Sequence, residues 1–201
     1  IAANVLPNSL QTLKFGYSYN QIISQNVLPN SLKTLIFGRG FNRIITKYIL
    51  PSSLQTLTLS SDYNHVITQY VLPNYLESLM FGYFYNQTIS KNVLPNSLKT
   101  LTFGSMWDNL LFKNMLPNSL VSLTFGYKYN QVINCNILPN SLKTLIFDYD
   151  FNQAIDVGVL PSSLQSLTLG YSYNHIIKEN VLPSLLQSLT LGHSYNHVIK
   201  E

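Results

Sequence analysis

A mainly β, helix-poor solenoid of nine 22-residue rungs, with a parallel sheet along one face, is the fold the sequence predicts, and three observations predict it. All nine prolines, from Pro7 to Pro183, are spaced by 22 residues with no insertion or deletion. Every repeat carries leucines at fixed points in the pattern L-x-x-L-x-[LF]. No stretch sustains the 3.6-residue apolar period of a full helix. A period of this length marks units that cannot bury a core alone and do so by stacking on one another.

With the proline of each rung as position 3, the rungs begin at Val5, Val27, Ile49, Val71, Val93, Met115, Ile137, Val159 and Val181. The consensus reads V-L-P-N-S-L-K-T-L-x-F-G-Y-x-Y-N-Q-x-I-x-x-N. Leucine at positions 6 and 9 with Phe or Leu at 11 describes a short strand, whose alternation turns positions 9 and 11 inward and 8 and 10 outward. Glycine at position 12, replaced only by Ser60 and Asp148, suits the bend leaving the strand, where a positive φ is expected. Position 15 is always aromatic and position 19 is Ile except at Leu111. Proline lacks an N–H, so the return side is expected to be extended or turn-like, with a second short strand around positions 16 to 19.

Position 16 holds Asn20, Asn42, Asn64, Asn86, Asp108, Asn130, Asn152, Asn174 and Asn196. Such a row predicts an internal ladder in which amides satisfy buried turn backbone. Ile1 to Asn4 fit positions 19 to 22 and Glu201 falls at position 21, so residues 1–201 read as one array truncated within a repeat at both ends.

Charged residues make up 10% of the chain, against roughly 25% in ordinary soluble proteins, so the surface is polar mainly without charge. The net charge of +4 is scattered, with no basic stripe to track phosphates, and nucleic acid is not an expected partner. Cys135 is the single cysteine, so no internal disulfide forms and a reducing compartment is implied. No run approaches the ~18 apolar residues of a membrane span, and Ile1-Ala2-Ala3-Asn4 has no charged or apolar leader region, so neither an anchor nor a signal peptide is expected.

Repetition places rows of like residues, whereas catalysis needs unlike residues converging at one point. No G-x-S-x-G, G-x-x-x-x-G-K or H-E-x-x-H motif occurs, and neither an enzyme nor a cofactor is expected. His65, His175 and His197 at position 17, with His193 at position 13, raise the question of an imidazole metal site. The favoured reading is that His replaces the usual Gln as a polar donor. Threonine and serine pairs at positions 8 and 10 resemble an ice-matching hydroxyl array, but Lys14, Ile36, Met80 and Ile146 break the rows and Thr favours exposed strands anyway.

Position 13 carries Tyr17, Tyr83, Tyr127, Tyr149 and Tyr171, with Arg39 and His193 in the same row. Tyr and Arg are over-represented at interface hot spots, and such rings also stack on glycans. The plainer alternative packs them along the rim against the position-15 aromatics. Position 14 is variable, with Phe84, Met106 and Lys128 where a partner would be discriminated. In rung five, Ser105-Met106-Trp107-Asp108-Asn109 departs from the consensus and suggests a perturbed ladder with Trp107 as a recognition spot. The candidate partner-facing set is therefore these row-13 residues with Phe84, Met106, Trp107 and Lys128.

The run from Leu138 to Ile155, L-P-N-S-L-K-T-L-I-F-D-Y-D-F-N-Q-A-I, closely resembles the FNIP repeat. That family is similar to leucine-rich repeats and is known chiefly from social amoebae and from giant viruses that infect amoebae. The likeness covers essentially all 201 residues, and the L-P-x-S-L-x-x-L phrase also looks like the helix-poor repeats of bacterial effectors. Family members often carry an F-box ahead of the repeats, which implies an array that presents substrates to a ubiquitin ligase; these 201 residues contain no F-box-like segment. The expected function is a non-catalytic protein–protein interaction scaffold, in the cytoplasm or associated with a virion. The alternatives are a structural or assembly component, self-associating through open solenoid ends, and a glycan or other small-ligand surface. No membrane partner is expected.

Overall fold

The computed structural model describes residues 5–198. Each rung supplies one strand: β1 (Thr12–Lys14), β2 (Thr34–Ile36), β3 (Thr56–Thr58), β4 (Ser78–Met80), β5 (Thr100–Thr102), β6 (Ser122–Thr124), β7 (Thr144–Ile146), β8 (Ser166–Thr168) and β9 (Ser188–Thr190). They form a single nine-stranded sheet in chain order. Every pairing is parallel and joins like positions, as in Leu13 with Leu35 and Leu167 with Leu189. Among the described residues there is no helix. The segment Ile1 to Asn4, read above as the tail of a rung, lies outside the described residues.

The strands are short because turns press on them from both sides. Before each strand the proline carbonyl accepts the amide of the position-6 leucine, as in Leu32 to Pro29 at 3.0 Å. The position-7 carbonyl then accepts two amides of the next rung, Gln11 receiving Lys33 at 2.8 Å and Thr34 at 2.9 Å. After the strand the position-12 carbonyl accepts the position-15 amide, as in Trp107 to Gly104 at 3.1 Å. Backbone groups on this side are thus paired within or between rungs, as a buried chain requires.

Inside lie unbroken columns: Leu32, Leu54, Leu76, Leu98, Leu120, Leu142 and Leu164 at position 6 are completely buried. Position 9 follows at Leu35 through Leu167, and positions 1, 2, 11, 15 and 19 complete the core. Leu10, Leu13, Leu186 and Leu189 in the first and last rungs are only partly covered.

Three expectations are corrected. Among the described residues no second strand forms at positions 16 to 19, because that backbone is held by side chains rather than by a ladder of peptide groups. Glycine at position 12 has no positive φ; it is there because rungs come together. A Cβ at Gly38 would stand 2.1 Å from the Gly16 carbonyl oxygen, and one at Gly126 would stand 2.3 Å from that of Gly104. Ser60 at the same position turns its hydroxyl to the carbonyl of Phe41. The left-handed backbone falls instead at position 22, on Asn26, Tyr48, Tyr70, Asn92, Asn114, Asn136, Gly158 and Asn180, with φ from 61° to 82°. There it closes the turn in which position 1 donates back to position 20, as in Met115 to Phe112 at 3.1 Å. The third correction concerns the asparagines, which line the outside.

Candidate functional site

The asparagine ladder runs along an exposed edge. Each side-chain oxygen accepts the backbone amide of the same position one rung on: Asn20 from Asn42 at 2.9 Å, Asn64 from Asn86 at 2.9 Å, Asn130 from Asn152 at 2.9 Å. Asn42 to Asn64 is the longest step at 3.5 Å, and the series continues through Asn152, Asn174 and Asn196. Asp108 does not disturb it. Its carboxylate receives Asn130 at 2.9 Å and its own amide reaches Asn86 at 3.1 Å, because the ladder needs only an acceptor oxygen.

Position 17 adds a parallel set of bonds to the position-16 carbonyl of the rung before. Gln153 Nε2 donates to Asn130 at 3.1 Å and Arg43 Nε to Asn20 at 3.0 Å. His65, His175 and His197 place Nε2 3.0–3.2 Å from the equivalent carbonyls of Asn42, Asn152 and Asn174. Histidine here stands in for glutamine. Among the described residues no three metal-ligating side chains converge.

A third series was missed by sequence reasoning although its signal was present. Serine occupies position 5 in seven rungs, and its hydroxyl donates to the position-6 carbonyl of the preceding rung. The distance is 2.6–2.8 Å at Ser31, Ser53, Ser97, Ser119, Ser141 and Ser163.

The row at position 13 is a separate exposed column. Tyr127, Tyr149, Tyr171 and His193 stack ring on ring, with centroids 4.6, 4.4 and 4.7 Å apart. They contact one another rather than the position-15 aromatics. Tyr17 carries the Arg39 guanidinium 5.7 Å from its ring, and Tyr83 meets Phe84 edge to face at 4.8 Å. Lys128 sits 5.1 Å from the Tyr127 centroid and binds Asp150 at 2.9 Å; the hydrogen bond to that carboxylate, with its charge, raises the ammonium's pKa. Partial desolvation in the stack, with the Tyr171 and Tyr127 phenols adding, raises the Tyr149 hydroxyl. Met106 is half-buried beside Ser105.

Trp107 must be removed from the partner-facing set. It is 0% exposed and stacks on Phe103 at 3.8 Å, while its indole N–H donates to the Gln87 carbonyl at 3.2 Å. Position 15 is a core position, and tryptophan there supplies a larger ring to the same column that Tyr85 and Tyr129 occupy.

Position 18 forms a further stripe that sequence reasoning did not find. Ile22 (70% exposed), Ile44, Val66, Leu110 (63%), Val132, Ile176 and Val198 stand in line along the return side, interrupted only by Thr88 and Ala154. At position 19, Ile23, Ile45, Ile67, Ile89, Leu111, Ile133 and Ile155 are buried instead, and Ile177 is partly buried. With no strand there, alternation cannot say which of the two adjacent positions faces out; the signal that could have is that position 18 admits Thr88 and Ala154 while position 19 is Ile or Leu throughout.

No curated protein matches the chain. Among solved structures it is similar to CroV588, a giant-virus protein described as a novel circular LRR protein structure. The two are 43% identical with a TM-score of 0.80; the match covers 100% of this chain and 36% of the other, so the chain spans about a third of that neighbour's length. The FNIP repeat model matches residues 1–40, 41–84, 85–128, 129–172 and 173–201, which is every rung described above. The chain therefore belongs to the FNIP repeat family, whose leucine-rich-repeat-like solenoids are typical of protein-interaction scaffolds.

Proposed function

We propose that this array is a non-catalytic scaffold that binds another protein, and that the position-18 stripe is its principal contact. The observation carrying this reading is the line of exposed aliphatic side chains at one position in seven of nine rungs, whereas the other exposed aliphatic residues, Val5, Met80, Val121, Val157 and Leu185, fall at scattered positions. Water contact with contiguous aliphatic surface is unfavourable, and such patches on folded proteins mark interaction sites. Their regular spacing suits a partner laid along the solenoid.

The test is co-purification from the native source with Ile44→Asp and Leu110→Asp variants against Thr102→Asp on the sheet face. All three positions are at least partly exposed, so the fold is retained. Loss of the same partner from the first two only is expected; equal retention by all three would overturn the reading. The finer version, substrate recognition for an F-box ubiquitin-ligase adaptor, is supported by family membership alone. Ligase subunits recovered with the full-length protein would carry it.

A second reading, an assembly component, is favoured by the similarity to a circular protein. On that reading the chain is an arc of a longer curved array, located in the cytoplasm or a virion. Small-angle scattering of the full-length protein that shows no closed or curved particle would remove it.

A further inference from the structure

We infer that the gap at Ser61 in the position-13 column is a receptor slot for one aromatic side chain of a partner protein, clasped between the Arg39 guanidinium and the Tyr83 ring. The inference rests on the scaffold reading and specifies one of its contacts. In rungs six to nine this row presents one planar group per rung, with interplanar angles of 8°, 3° and 9°. Sheet register carries the row through the whole array, since every strand pairs like position with like. At rung three the planar group is missing. Ser61 stands in its place, and a cleft of about 430 Å³ opens, lined by Arg39, Ser61, Tyr83 and Phe84.

The size of the gap follows from the rung spacing. Arg39 and Tyr83 are two rungs apart, about 9–10 Å at the usual strand separation, which admits one ring with ordinary stacking distance on each side. The array's other rungs show the shape that fits, because the same place is filled by Tyr or His wherever the column is complete.

The walls select the chemistry. Arg39 already lies over Tyr17 at 5.7 Å and directs Nε toward Asp62 at 3.9 Å, so it is held as a plate between its neighbours. A guanidinium plate favours a π face, and so does Tyr83 opposite. Phe84 stands at 77° to Tyr83 and forms a side wall for edge-to-face contact. An aliphatic occupant would leave the cation against hydrocarbon, and a carboxylate would meet the Tyr83 face and compete with Asp62. A tyrosine or tryptophan side chain satisfies both walls. The other gap, at Ser105, has no guanidinium plate, and its nearby cation, Lys128, is engaged with Asp150.

The experiment is titration of the full chain with N-acetyl-tryptophanamide, followed by backbone amide shifts, with N-acetyl-leucinamide as control. The tryptophan probe is expected to shift the amides of Arg39, Ser61, Tyr83 and Phe84, and the leucine probe is not. Ser61→Tyr completes the column from within the chain and should abolish the shifts, whereas Ser61→Ala should keep them. Arg39→Gln should weaken binding about 2- to 5-fold, the range of an exposed cation–π contact. Equal response to both probes, or unchanged binding in Ser61→Tyr, would sink the proposal. Tighter binding of a single-stranded oligonucleotide in the same cleft would replace the protein partner with nucleic acid. If the probe does not bind while Ile44→Asp still loses its partner, the slot fails and the scaffold reading stands; the reverse pattern separates them the other way.

Discussion

Two columns of aromatic rings run the length of this solenoid two residues apart in each rung, and they follow opposite rules. The inner column at position 15 has a large ring in every rung, with Trp107, Tyr63, Tyr85, Tyr129, Phe41 and Phe151 fully buried. The outer column at position 13 is exposed and lapses to serine at Ser61 and Ser105. Inner rings press on position 11 of their own rung, as in Phe125–Tyr129 at 3.9 Å and Phe147–Phe151 at 3.7 Å, and also on rings of adjacent rungs. Outer rings touch their neighbours in the row and, at Tyr83 and Tyr127, an exposed position-14 side chain. A gap inside would leave a cavity facing three rungs, while a gap outside leaves a cleft open to solvent, so only the outer column is free to vary for recognition.

The largest effect should come from breaking the inner column. Trp107→Ala is expected to cost about 3–5 kcal/mol, because it opens a cavity in the middle of the array and abandons the Gln87 carbonyl. Tyr149→Ala in the outer column should cost less than about 1 kcal/mol, since its ring is exposed and loses only stacking. Urea unfolding of both variants decides the matter; comparable losses would mean that the outer stack is structural.

Alkaline pH should strike the inner column next. Burial pushes the Tyr63 hydroxyl up to about 12 from 10. A phenol that stays neutral in the folded chain while ionising in the unfolded one leaves stability intact below about pH 10. That stability is then lost progressively as the pH rises toward 12. Tyr63→Phe should make this part of the stability profile shallower without abolishing it, because burial also raises Tyr85, Tyr129 and Tyr173. Phe41 and Phe151 already show that the position accepts phenylalanine. An unchanged alkaline slope in Tyr63→Phe would place the titration elsewhere.

Glycine at position 12 joins the two columns and sharpens the contrast between rungs. Gly126→Ala brings a methyl to 2.3 Å from the Gly104 carbonyl oxygen, so the rungs must shift, at about 1–3 kcal/mol. Gly16→Ala meets nothing within 4 Å among the described residues and should change stability by less than about 0.5 kcal/mol. Thermal melting of the pair tests whether rung contact or local backbone freedom selects glycine here.

How much of this was legible depends on whether a residue choice reports volume, direction or backbone shape. The leucines at positions 6 and 9 reported direction, because a strand alternates and the spacing leaves one solution. Trp107 reported only volume. Its departure from Tyr looks like a surface feature in the sequence, yet position 15 accepts any large ring, and its inward direction comes from the turn closed by Gly104. The exposed stripe at position 18 escaped an alternation argument because Ile22 and Ile23 are alike; only the tolerance of Thr88 and Ala154 at that position marks it as the outward one. Glycine misled in the other direction, since its freedom suggested a left-handed turn while its small size was the operative property.

The left-handed turn at position 22 gives a small expected effect, a gain rather than a loss, and the most direct view of the exposed side's tolerance. Asn26, Asn92, Asn114, Asn136 and Asn180 hold φ between 61° and 65°, a region asparagine enters more readily than other branched or bulky residues. Tyr48 and Tyr70 occupy the same place at 71° and 69°. Left-handed backbone costs an ordinary residue roughly 1–2 kcal/mol. The offset visible in the structure is small: Lys47 places its ammonium 4.5 Å from the Tyr48 ring and 5.2 Å from the Tyr70 ring, contacts worth about 0.5–1 kcal/mol at an exposed site. Tyr48→Asn should therefore stabilise the chain, by about 0.5–1 kcal/mol after the lost cation–π contact is counted. Denaturant midpoints for Tyr48→Asn and Tyr48→Ala separate the causes, because alanine loses the ring without gaining asparagine's tolerance of this φ and should not stabilise. A gain from both substitutions would trace the cost to the tyrosine ring itself, and a gain from neither would show that the exposed edge carries its bulky left-handed residues without strain.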